Sequence, residues 1–210
     1  MAKNNNFAHL LLKRRVLLTL LVLGIAAGLI RLGTYATFTS TADVAQSAIT
    51  SGTVTLSVPG AGATNRLTLG ATNIVPGDTM QRAVDLSNTG NTNMSSVTLT
   101  TTASPSSLLD TDTTNGLQVV IDKCSVAWTE SGVSPAFTYT CGGTTSSVLA
   151  SRPIIGSAIA LSNLTVTTAG ATDRLRVTIT FPSGAGNTFQ GLSSTITYSF
   201  NGTQRAATNE

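Results

Sequence analysis

The chain has 210 residues, and its formal net charge of +3 rests on 12 Lys and Arg against 9 Asp and Glu. Lys3, Lys13, Arg14, Arg15 and Arg31 all precede Ala36, and no acid does, so the basic balance belongs to the N-terminal end and the remainder is mildly acidic. This excludes a basic nucleic-acid footprint on the remainder, and the length suits one leader plus one domain with a proper core.

Residues 1–15 carry Lys3 and the run Lys13-Arg14-Arg15, and residues 16–30 are apolar and small. A positive segment, an apolar segment of this length and a small-residue site form a secretory signal. Thr34 and Ala36 are small enough for the −3 and −1 pockets of a signal peptidase, which places the cut between Ala36 and Thr37. The alternative is an uncleaved membrane anchor. A membrane span needs about 20 apolar residues, and Arg31 interrupts this run early. On either reading the basic flank stays inside and the rest is exported. Membrane contact is expected only through the uncleaved leader.

The chain divides into a signal peptide (1–36), an N-terminal segment (37–52), a β-domain (53–205) and a short tail (206–210). Residues 37–49 are polar and small, and Phe38, Val44 and Ile49 are their larger apolar groups. Residues 53–58 alternate, with Val54, Leu56 and Val58 on one face of a predicted strand. Residues 67–74 suggest a short strand. Pro76-Gly77-Asp78 makes a turn, because Pro fixes φ and Gly permits a positive one. Residues 80–86 point Met80, Arg82, Val84 and Leu86 one way, and residues 97–100 form another short strand.

Residues 108–116 read as a loop. Residues 117–121 form an apolar strand entering Cys124, and residues 137–141 a strand returning to Cys141. Residues 142–170 show weak strands near Val148 and over 164–167. The clearest alternation comes last: Leu175, Val177, Ile179 and Phe181, then Ile196, Tyr198 and Phe200. Gly184-Ala185-Gly186-Asn187 between them predicts an antiparallel pair at the centre of a sheet. Thr is abundant, and its branched side chain suits a pleated surface. Many short alternating runs between turn signals predict an all-β fold, an antiparallel two-sheet sandwich of jelly-roll type.

Three stretches, in this order, resemble the TasA/camelysin family of exported matrix proteins. The first is Gly33-Thr34-Tyr35-Ala36-Thr37-Phe38 with Ile49-Thr50-Ser51-Gly52-Thr53-Val54-Thr55-Leu56 behind it. The second is Val75-Pro76-Gly77-Asp78-Thr79 followed by Asp85-Leu86-Ser87-Asn88-Thr89-Gly90. The third is Asn187-Thr188-Phe189-Gln190-Gly191, then Ile196-Thr197-Tyr198-Ser199-Phe200 and Thr203-Gln204-Arg205. The resemblance implies a jelly-roll, export through a signal peptidase of the SipW type and cleavage between Ala36 and Thr37. It also implies a secreted protein of the extracellular matrix or cell surface that forms homopolymer fibres by donor-strand exchange, with other matrix proteins as further partners. The donor segment would then be residues 37–49. Burying Phe38, Val44 and Ile49 gives about 1.5–3 kcal/mol each, whereas ordering each residue costs about 1–2 kcal/mol. Backbone pairing at a sheet edge must therefore supply the rest.

The family carries a metallopeptidase label in places, so zinc chemistry has to be weighed. The chain has one histidine, His9, in the leader. Zinc peptidases of the H-E-x-x-H kind need two imidazoles a helical turn apart, and a Ser/His/Asp triad needs one. No catalytic, metal or cofactor residue is therefore assigned, and the chain is read as a non-enzyme. A Ser–Lys pair would have to use Lys123, which reads as a surface lysine. A camelysin-like secreted metalloendopeptidase and a monomeric cell-surface binding module are the alternatives to a fibre protein. Asp110, Asp112 and Asn115 form a faint calcium-loop pattern, but Ile121 stands where a bidentate Glu is needed; a turn capped by its own side chains is the plainer reading. Cys124 and Cys141 are the only cysteines and should pair in an exported protein. Trp128 reads as core or cap packing.

Overall fold

The computed structural model describes residues 39–43, 54–68, 70–71 and 73–206. Residues 1–36 of the expected leader, the expected cleavage residues Ala36 and Thr37, the histidine His9, and Phe38, Val44 and Ile49 of the expected donor segment lie outside the described residues. Those that are described fall in one compact unit, residues 37–210.

Among the described residues the chain is a two-sheet antiparallel sandwich. Sheet one runs β1 (Thr39–Asp43), β11 (Ile196–Gln204), β4 (Met94–Ala103), β9 (Gly156–Ala160). Sheet two runs β2 (Leu56–Ser57), β3 (Thr79–Asn88), β10 (Thr172–Thr180), β5 (Gln118–Cys124), β8 (Thr145–Pro153). A separate hairpin joins β6 (Trp128–Val133) to β7 (Ala136–Cys141). The all-β sandwich expected from the alternation is thus the observed architecture.

Alternation of apolar and polar side chains builds the core, because successive residues of a strand face opposite ways. Leu175, Val177 and Ile179 of β10 face inward, as do Val84 and Leu86 of β3 and Val119 and Ile121 of β5. Sheet one meets them with Val97 and Leu99 of β4 and Tyr198 and Phe200 of β11. Val54, Leu56 and Val58 are all buried in the same core, so the predicted face holds although only Leu56–Ser57 joins a ladder. The Pro76-Gly77-Asp78 turn forms as expected: Gly77 has φ +99°, the Asp78 amide donates to the Val75 carbonyl at 3.0 Å, and the Asp78 carboxylate accepts from the Val75 amide at 2.8 Å.

The expected pairing of the last two strands is corrected. β10 pairs with β3 and β5, and β11 with β1 and β4, so the two lie in opposite sheets. Hairpin loops usually span 2–5 residues, and the connection here is far longer. It carries its own buried residues, Ala185 and Phe189, and Phe189 packs edge-on against Phe181 at 5.5 Å between ring centroids. That apolar link takes the chain across the end of the core from one sheet to the other.

Other local differences have equally plain causes. Residues 67–74 form no strand among those described. The buried Asn65 instead holds this part in turns, its Nδ2 donating to the Pro59 carbonyl at 2.8 Å and its Oδ1 accepting from the Leu67 amide at 3.2 Å. Residues 108–116 open with a one-turn helix, α1 (Leu108–Thr111), fixed by a capping box between Ser107 and Asp110. β8 and β9 occupy 145–160, whereas 164–167 is irregular.

Candidate functional site

Sheet one ends on β1, which pairs antiparallel with β11 from Thr39↔Thr203 to Asp43↔Ser199. β11 is a regular inner strand only with β1 in place; on its other side it pairs with β4 over its whole length. Gly202 shows how tightly this strand is fitted, since a Cβ there would collide with the Met94 side chain. Part of the segment nominated as a donor strand therefore sits, in this single chain, on the edge of its own sheet.

The β6–β7 hairpin lies over the outer face of sheet two and is held by polar contacts rather than by an apolar stripe. The Cys124–Cys141 disulfide ties the end of β5 to the end of β7, with Cα atoms 5.7 Å apart. Trp128 donates its Nε1–H to the Arg174 carbonyl at 2.9 Å, and the Arg176 guanidinium stacks on its ring at 4.6 Å. Arg66 grips Glu130 through two hydrogen bonds of 3.0 and 2.7 Å while its guanidinium lies over Phe137. Tyr139 donates to Glu130 at 2.9 Å. The hydrogen bonds from Arg66 hold the Glu130 carboxyl below its ordinary range, and burial together with Glu130 pushes the Tyr139 phenol up to about 12. Such a clamp is structural chemistry: every charge in it is matched.

Lys123 is not the surface lysine expected. Its Nζ lies 3.1 Å from Asp173 Oδ1, with the lysine side chain 14% and the aspartate 3% exposed. Asp173 also accepts from the Thr165 amide and hydroxyl, each at 2.6 Å, and from the Val166 amide at 2.7 Å. The ammonium is thus committed to a buried carboxylate, away from any nucleophilic serine role.

Asp110, Asp112 and Asn115 are not gathered round a common point. Asp110 accepts from Ser106 and Ser194 hydroxyls, each at 2.6 Å, and from the Ser107 amide at 2.7 Å. Asp112 Oδ1 accepts the Thr114 and Asn115 amides at 2.8 and 2.9 Å. Burial pushes the Asp110 carboxyl up, but its hydrogen bonds outweigh that and hold it below the ordinary range. The Asn115 and Thr114 amides lower Asp112 in the same way. An acid with a depressed folded pKa stabilises the fold above its unfolded value, and that stability is lost as pH falls through the folded one. The sandwich should therefore melt at lower temperature at about pH 3 than at about pH 6. Calorimetry of Asp110→Asn beside the parent checks this: the variant should show a smaller drop between the two pH values. Asp85, raised by burial, acts in the opposite sense.

The donor set decides whether a catalytic zinc fits. Both thiols are consumed by the disulfide, and the lone histidine, His9, lies outside the described residues. The carboxylates of Asp110, Asp112, Asp122, Glu130 and Asp173 are each engaged by neighbouring donors. Among the described residues no group of three or more His, Cys, Asp or Glu could hold a metal ion. The described residues do not fit a zinc centre. Likewise, none of the described helices is long and apolar enough to cross a membrane.

A family model described as Camelysin metallo-endopeptidase matches residues 11–132, more than half of the chain. The match begins at residue 11, ahead of β1, and covers β1 to β5 and all but the last residue of β6. No curated protein matches the chain. Because the match covers more than half of the chain, including the first half of its all-β sandwich, the chain belongs to the camelysin metallo-endopeptidase family.

Proposed function

We propose that this protein is an exported, non-enzymatic subunit of extracellular fibres, in which the N-terminal segment of one copy occupies the β11 edge of the next. The observation that supports the reading is the place of β1: five residues at the margin of sheet one, joined to the described body through the β11 ladder. An edge strand of this kind offers a row of backbone donors and acceptors to whatever chain lies beside it. Exchanged between copies in the same register, the strand would make the same backbone bonds that it makes within one chain. The contacts cancel, and the balance rests on the effective concentration of the tethered strand, on the order of mM for a short flexible linker. Assembly is then expected to be conditional and steeply dependent on subunit concentration. Cleavage after Ala36 by a SipW-type signal peptidase would free the segment from the leader, place the product outside the cell and leave other matrix proteins as additional partners.

Deleting residues 37–49 tests the reading. The deletion should leave a folded monomer, judged by circular dichroism and sedimentation, that forms no fibres in negative stain at concentrations where the trimmed parent does. Normal fibres from the deletion, or a trimmed parent that stays monomeric at every concentration, would overturn it. The family description favours a second reading, a secreted metallo-endopeptidase. A casein assay with and without chelator separates the two, since a peptidase must lose its activity to the chelator. The committed carboxylates and oxidised thiols described above weigh against that reading.

A further inference from the structure

A cavity of about 810 Å³ lies at one end of the core, among Leu117, Ile154, Ile179, Phe181, Phe189 and Ile196. Its size falls within the range of small-molecule sites, roughly 300–1,000 Å³. Two buried polar side chains, one from each sheet, are among the residues that line it. Arg82 of β3 is 3% exposed and Tyr198 of β11 is 4% exposed, and both line the cavity. Each stands on an inward-facing stripe: Arg82 in line with Val84, Leu86 and the buried Asn88, Tyr198 in line with Phe200.

The tyrosine is the anomaly. Its hydroxyl is buried and has no hydrogen-bond partner. Buried hydroxyls are nearly always satisfied, and an orphan one calls for an explanation. Burial raises the Tyr198 phenol well above its ordinary value, and the Arg82 charge pulls it back, so the group is a neutral O–H donor beside a cation. Arg82 in turn is fixed in place, its two terminal nitrogens donating to the Gln81 carbonyl at 2.7 Å and the Gly70 carbonyl at 3.1 Å. Asn73, Asn187, Gln190 and Ser193 also line the cavity, so a rigid guanidinium and an unspent O–H donor in a chamber of mixed polar and apolar lining select an acceptor of negative charge carried on an apolar body.

We propose that this cavity is a binding site for a single-chain amphiphile with a carboxylate head, the carboxylate taking the Tyr198 hydroxyl and the Arg82 charge and the alkyl chain lying along Leu117, Ile154 and Phe189. The inference is independent of fibre assembly. The Asp110–Ser194 bond joins α1 to the segment that walls the cavity, since Ser194 and Leu109 both line it, so the chamber has a fixed frame.

Calorimetric titration of the full-length chain with decanoate, decanol and decyltrimethylammonium tests the proposal. Decanoate should saturate at one site per chain below its micelle concentration, with the alcohol and the ammonium at least about tenfold weaker. Tyr198→Phe removes only the orphan oxygen and should fold as the parent does, yet weaken decanoate by at least about threefold. Arg82→Met should abolish the preference for decanoate over decanol. Absence of saturable decanoate binding, equal affinity for the three probes, or unchanged affinity in Tyr198→Phe would each overturn the proposal. The last outcome would also place any binding seen elsewhere on the chain, the apolar leader included.

Discussion

Asp173→Ala is expected to lower the unfolding free energy by about 3–5 kcal/mol, the range for breaking a buried ion pair from one side. Asp173 lies on the inward stripe of β10, the central strand of sheet two, next in line to Leu175. Its carboxylate takes the Thr165 and Val166 amides, the Thr165 hydroxyl and the Lys123 ammonium. Alanine would strand the buried Val166 amide and a half-buried cation, and an unsatisfied buried donor costs about 1–3 kcal/mol. The loop over 164–167 has no strand pairing of its own and would then be held by the buried Val166 side chain and the bond from the Met94 amide to the Thr167 carbonyl. Asp173→Asn keeps acceptor oxygen for the amides and should cost less than alanine does. Urea denaturation of the three proteins measures this. A midpoint for Asp173→Ala close to that of the parent would show that the loop is held by other means.

The second large effect is expected from the disulfide. Opening Cys124–Cys141 should lower stability by about 3 kcal/mol, the chain-entropy value for a loop of about 15 residues. The loss should be uneven, because the hairpin keeps its clamp. Trp128 would still donate to the Arg174 carbonyl, Arg66 would still hold Glu130, and the Tyr139 amide would still reach the Gln81 side chain at 2.9 Å. The double variant Cys124→Ala/Cys141→Ala is therefore expected to fold, to melt earlier, and to be cut first by protease at the exposed Val133 turn. Identical melting and cleavage with and without the bond would mean that the polar clamp alone fixes the hairpin.

How much of this was legible in the residues depended on how each strand is buried. β3, β10 and β11 bury one face in the core, so their alternation is strong in the sequence and their inward residues are as expected. Which strand pairs with which was not legible, because an apolar face in either sheet looks the same from the chain. That is why β10 and β11 were joined wrongly. The hairpin was half seen: β7 has Phe137 and Tyr139, whereas β6 packs through Trp128 and Glu130 and is mostly exposed. β8 and β9 are built largely from Ser, Ala and Thr, whose pattern is faint. The disulfide followed from the cysteine count alone. The cavity was missed, yet it had a signal: one arginine, Arg82, in register with Val84 and Leu86 on the core face of a strand. A charge in that position is costly unless it is hydrogen-bonded or paired.

The order in which the strands join has a consequence for biosynthesis. β3 and β5 never touch as partners; β10 fills the gap between them, and β11 does the same for β1 and β4. The keystones of both layers are thus the last two strands, and Thr39 must wait for Thr203. Pairings so distant in sequence close slowly. A nascent chain delivered from its N-terminus would remain an open thread, with Leu86, Leu99 and Ile121 wet, until nearly all of it had emerged. Loss of β11 by a late stop codon should leave β1 and β4 without their common partner and the first sheet unformed.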